Sequence, residues 1–177
     1  MKDKKLLSDI KEYLKCYENQ VLEDWYELIR HISVSETGEG IETCCDWIQK
    51  KMEEIGIQVT KYSVKPAPVL VGRFGNDPEK KTVLIYAHYD VKPAGERKLW
   101  HSDPFVPTVR DGKVYARGSA DNKSPLMAHL KALEYFIRRK MEVPVNVIFV
   151  FEGDEECGSR GLEEFLAEHR TELAADL

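Results

Sequence analysis

An α/β fold of three layers, built on a mixed and mostly parallel sheet, is predicted by three observations. Two short runs, residues 82–87 (TVLIYA) and 145–151 (VNVIFVF), are almost wholly apolar, as strands covered on both faces must be. Stretches with apolar residues at helical spacing alternate with the strand-like runs. Both apolar runs end abruptly in polar clusters, and in open α/β sheets sites form outside the carboxyl ends of strands.

The elements follow in order. Over residues 6–32, Leu6, Leu7, Ile10, Leu14, Val21, Leu22, Trp25, Leu28, Ile29 and Ile32 recur at helical spacing, which predicts one long amphipathic helix or two in line. SVSETGEG is a polar, glycine-bearing loop, and Ile41, Cys45, Ile48, Met52 and Ile55 mark a second helix ending near Gly56. Residues 57–64 and 69–74 read as strands, and the strand at 82–87 delivers His88. A hairpin turns at Asp111-Gly112 between Val109 and Val114. RGSADNKSP then opens a helix with Leu126, Leu130, Leu133, Phe136 and Ile137 on one face. The strand at 145–151 runs into EGDEECGS, ahead of a helix over 160–169.

Composition narrows the function classes. With 177 residues, 42% hydrophobic and 32% charged, the chain suits one folded domain and neither a disordered segment nor a membrane span. A net charge of -5, with 26 Lys+Arg interleaved among 31 Asp+Glu, offers no basic face to nucleic acid and no polybasic anchor to a membrane. Cys16, Cys44, Cys45 and Cys157 form no C-x-x-C pair and read as reduced thiols. The N-terminus lacks the apolar core of a secretory signal, so the cytoplasm is the expected location. No strand is followed by a dinucleotide or P-loop glycine pattern, which disfavours a nucleotide-binding domain.

Three polar clusters carry the chemistry. His88 and Asp90 stand two apart on an extended segment, where the carboxylate can accept the ring N–H that a metal leaves free; the plain alternative is a hydrogen-bonded pair. Asp121 precedes a helix, where it is either an N-cap or a carboxylate shared between two metals. Asp154, Glu155 and Glu156 are consecutive acids at a strand end, either solvated charge or a ligand beside a general base. Read jointly, the ordered clusters point to a metal site.

The stretches YAHYDVKPAGERKLWHSDPF, DGKVYARGSADNKSP and FEGDEECGSRGLEEF resemble the aminoacylase, carnosinase and glutamate carboxypeptidase family of co-catalytic zinc peptidases, peptidase family M20, and within it the carnosinase-like dipeptidase branch. The resemblance implies that His88 ligates one zinc, Asp121 bridges two and Glu156 ligates the other. Asp90 would orient His88, and Glu155 would be the general base that activates a bridging water in amide hydrolysis. It also implies a cis peptide after Asp121. Two Zn2+ per complete site are implied, with Mn2+ or Co2+ able to accept the same donors. The implied substrate is a small peptide or N-acyl amino acid. Ala116, Asn122 and Ser124 depart from the wider family pattern near the bridging aspartate.

The family supplies further ligands, a dimerisation domain and a homodimer that have no place in these residues. The chain is therefore expected to be the N-terminal part of the catalytic domain, truncated at its C-terminal side. The alternative is a truncated, non-catalytic relative that keeps the fold for binding. His101, His129 and His169 are expected to be solvated or packed rather than ligands.

Overall fold

The N-terminal periodicity folds as one helix rather than two in line: α1 spans Lys2–Arg30 in a computed structural model that describes residues 2–177. A second helix, α2 (Ile41–Glu54), buries Ile41, Cys44, Cys45, Ile48 and Met52, the face its apolar spacing predicts. Strands β1 (Gln58–Tyr62), β2 (Val69–Phe74) and β3 (Thr82–His88) follow. The short hairpin β4 (Thr108–Arg110) and β5 (Lys113–Tyr115) turns at Asp111 and Gly112, both with positive φ. Helix α3 (Lys123–Arg138), strand β6 (Asn146–Glu152) and helix α4 (Leu162–Glu168) complete the order.

The main sheet has the order β1-β2-β6-β3. It is mixed, as expected, but β3 with β6 is its one parallel pairing among the described residues, and β1–β2 and β2–β6 are antiparallel. The hairpin β4–β5 stands apart as a second sheet. Of the two apolar runs, only β6 is central and buried from Val147 to Glu152. The other, β3, lies at the sheet edge, half-buried, with Tyr86 45% exposed. Its outer side is met by the last residues of the chain: Leu84 N donates to Leu177 O at 2.8 Å and Asp176 N to Thr82 O at 2.9 Å. Apolar runs announce strands but not their order, so the expectation of strands covered on both faces holds for β6 alone.

Two cores flank the sheet. Between it and the α1, α2 and α3 layer lie Leu28, Cys44, Ile48, Met52, Leu70, Leu126, Leu130, Phe149 and Phe151. On the other face Val69, Val71, Ile148 and Val150 pack against Phe165 and Leu173. Alternate residues of β2 and β6 thus serve opposite layers, the pleat supplying both cores of a three-layer sandwich. Among the described residues, no helix is long and apolar enough to cross a membrane. Phe149 is fully buried between the sheet and the helices. Phe149→Ala is expected to lower unfolding free energy by about 3–5 kcal/mol in urea titrations followed by circular dichroism.

Candidate active site

Parallel pairing of β3 with β6 sets His88 opposite Glu152, so the residues after each strand leave the same end of the sheet side by side. Tyr89 N donates to Glu152 O at 2.8 Å, continuing the ladder past the strand ends. The Tyr89 ring, fully buried, lies across Gly153 and sends its hydroxyl to Pro68 O at 2.8 Å. A Cβ on Gly153 would come within 2.5 Å of that ring. The glycine is what lets the two polar clusters run so close together.

Asp90 is the hub. Its side chain is wholly buried. Its Oδ1 accepts Glu155 N at 3.2 Å and its Oδ2 accepts Glu156 N at 3.1 Å. His88 Nδ1 lies 3.3 Å from Asp90 Oδ1 and 3.2 Å from Asp90 O, so the ring proton is shared between the carboxylate and the main-chain carbonyl. Burial alone would raise the Asp90 pKa, but hydrogen bonds from His88, Ser35 and Glu156 N hold it below the usual carboxylate value. Besides its contact with the His88 ring, the same carboxylate ties down the backbone of the Glu155-Glu156 turn.

His88 is almost completely enclosed, and its Nε2 faces outward. It lies 3.1 Å from Asp121 Oδ1 and 3.7 Å from Glu155 Oε2. Burial pushes the His88 pKa down, yet Asp90, Glu155 and Asp121 outweigh it and raise the pKa from 6.5 to about 9. Asp121 is no helix cap: the N-cap position of α3 belongs to Asn122, which makes no side-chain cap bond, and the Asp121 side chain is 74% exposed. The Asp121-Asn122 peptide is cis, as the resemblance implies.

The acidic run divides into three environments. Asp154 is buried and held by Arg160, whose Nη2 lies 2.7 Å from Oδ1 and whose Nε lies 3.0 Å from Oδ2. That bidentate pair gives the first acid of the run a structural purpose, braces the turn through residue 160 and takes Asp154 out of the candidate chemistry. Glu155 faces His88, whereas Glu156 joins the group through its backbone N–H and has its Oε2 3.7 Å from Lys92 Nζ. Among the described residues, no group of three or more His, Cys, Asp or Glu side chains is arranged to hold a metal ion; the contacts are pairwise about His88. The residue types nevertheless suit a divalent ion: an imidazole nitrogen with its other nitrogen secured by a carboxylate, beside the outward carboxylate of Asp121, whereas the Glu156 carboxylate stands near Lys92 and makes no contact with His88.

His101 and His129 are exposed, and His169 stacks on Tyr62 and Phe165 with Nδ1 2.8 Å from Glu172 Oε2, away from the cluster. All four cysteines are free thiols. The sequence reading passed over Ser33, Ser35 and Lys123, which pack behind the cluster. A serine in a polar loop and a lysine at a helix start carry no pattern that separates them from solvated residues.

The fold is an α/β sandwich with a polar His and carboxylate cluster at the strand ends. Residues 84–177 match the model of Peptidase family M20/M25/M40, and the chain belongs to this family. It is 43% identical over 120 residues to the Cys-Gly metallodipeptidase dug1 of Schizosaccharomyces pombe, covering 66% of this chain and 25% of that protein. It is 44% identical over 103 residues to the Beta-Ala-His dipeptidase of Homo sapiens, covering 58% of this chain and 20% of that protein. The crystal structure of human carnosine dipeptidase 1 superposes with a TM-score of 0.88, with 30% identity over 92% of this chain and 38% of that one. The chain thus spans about a quarter of the length of the curated relatives it matches.

Two expectations follow. Without metal, His88 should titrate by NMR near pH 9; because its folded pKa lies above the ordinary 6.5, its stabilising effect is complete below about pH 6.5 and is lost as pH rises through about 9. Gly153→Ala should cost about 1–3 kcal/mol by overpacking, read in urea melts together with a changed near-UV signal from Tyr89.

Proposed function

We propose that the chain forms part of the catalytic domain of a metal-dependent dipeptidase, its residues being the N-terminal portion of that domain. The observation that carries the reading is His88, with Nδ1 secured by Asp90 and Nε2 turned to the carboxylates of Asp121 and Glu155. Family membership supports it, as do relatives whose names specify dipeptidases.

In this reading His88, Asp121 and Glu156 hold the divalent ions, two Zn2+ in the complete site. Bound there, the metal would polarise an amide carbonyl and make water more acidic. Asp90 keeps the His88 ring in the tautomer that leaves Nε2 free. Glu155 takes a proton from the attacking water and gives it to the departing amine nitrogen, the same oxygen serving as base and then as acid. Its backbone N–H is fixed by Asp90 while its side chain is 43% exposed, which leaves the carboxylate free to move between those two partners. The substrate is a small dipeptide, and the whole protein is a cytoplasmic homodimer with no nucleic-acid or membrane partner.

The test has two parts. Elemental analysis of the purified chain is expected to find zinc near one equivalent in the native sequence and none in Asp121→Ala. The whole protein, assayed with Cys-Gly and β-Ala-His, should hydrolyse a dipeptide, and Glu155→Gln should lower kcat by about 10²–10⁴ with metal content unchanged. A whole protein that binds metal but hydrolyses no dipeptide would leave the non-catalytic reading, and a fully active Glu155→Gln would remove the base assignment.

A further inference from the structure

The two turns that carry His88 and Asp121 are both fastened to one piece of chain, residues 28–35, which itself contributes no candidate ligand. On the Asp121 side the fastening is Lys123. Its side chain is fully buried, and among the described residues it forms no ion pair. Its Nζ donates instead to Leu28 O at 3.1 Å and to His31 O at 2.5 Å. These are carbonyls at the C-terminal end of α1, where the helix lacks internal partners and favours a cation. Lysine two residues after Asp121 thereby pins the start of α3 to the end of α1.

On the His88 side the fastening is the segment just beyond. Ser33 Oγ donates to Tyr89 O at 2.7 Å, and Val91 N donates to Ser33 O at 2.8 Å. Val34 forms a parallel bridge with Val91. The two fastenings meet at Gly118, where a Cβ would lie 2.9 Å from Val91 Cγ1 and 3.2 Å from Lys123 Cδ. No slack separates the turn after β3 from the turn before α3.

We infer that Lys123 and Ser33 are positioning residues: through residues 28–35 they fix the separation between His88 Nε2 and Asp121 Oδ1. The inference deepens the metal-site reading and rests on it for its functional meaning. A residue that merely capped α1 would affect stability and leave the His88–Asp121 pair untouched, and the two roles are separable by experiment.

The measurement is the 15N–1H correlation spectrum of the His88 ring in the 177-residue chain without metal, for the native sequence, Lys123→Met and Ser33→Ala. Ile48→Val, a fully buried core change on α2, is the control for loss of stability alone. Displaced ring resonances in both variants and native ones in the control are expected, with the Zn2+ dissociation constant raised about tenfold or more in both variants. A folded Lys123→Met or Ser33→Ala with native His88 resonances overturns the inference. Should Lys123→Met not fold by circular dichroism, Ser33→Ala decides alone, with the same two outcomes. A native chain that takes up no Zn2+ while its variants still displace the His88 signals would count against the metal reading and for the positioning role.

Discussion

Parallel pairing of β3 and β6 is the constraint on which the rest of the candidate site depends. Parallel strands need a long crossover, and here the crossover contains the hairpin β4–β5 and α3, so it also carries Asp121 back toward the strand ends. A single register, His88 against Glu152, then puts three sequence-distant clusters at one end of the sheet. A slip of one residue would turn His88 to the opposite face and, with Asp90 moving beside it, separate it from Asp121 and Glu155.

Within that frame, negative charge is made tolerable by giving each acid a different neighbour. Asp154 is neutralised by Arg160, Asp90 by the His88 ring and two backbone N–H groups, and Glu156 stands near Lys92. Glu155 and Asp121 are left facing the outer edge of one imidazole. Adjacent acids that would repel one another in a uniform setting are thereby sorted into structural and chemically available groups.

Much of this was legible in the sequence because apolar periodicity and strand-end polarity are local properties. The helices, the strands and the hairpin turn at Asp111-Gly112 come from such patterns, and so do His88, Asp90, Asp121 and Glu155 as neighbours in space once the strands are laid side by side. Strand order is a long-range property, which is why β3 read as fully covered although it lies at an edge. The structural use of Asp154 was hidden because Arg160 lies six residues on, past a turn that no periodicity describes. Lys123 was hidden for a different reason: the groups that it satisfies are main-chain carbonyls, which every residue possesses and no sequence pattern marks.

The unequal exposure of the cluster has a consequence for how it meets its surroundings. His88 and Asp90 are sealed from solvent, while Asp121 stands open. Dissolved salt screens charges that water reaches and scarcely touches those it does not. Ionic strength therefore acts on this cluster from one side: it softens the field of Asp121 and leaves the His88–Asp90 pairing at full strength. At a fixed pH, then, salt reaches the outward carboxylate and scarcely reaches the buried pair behind it.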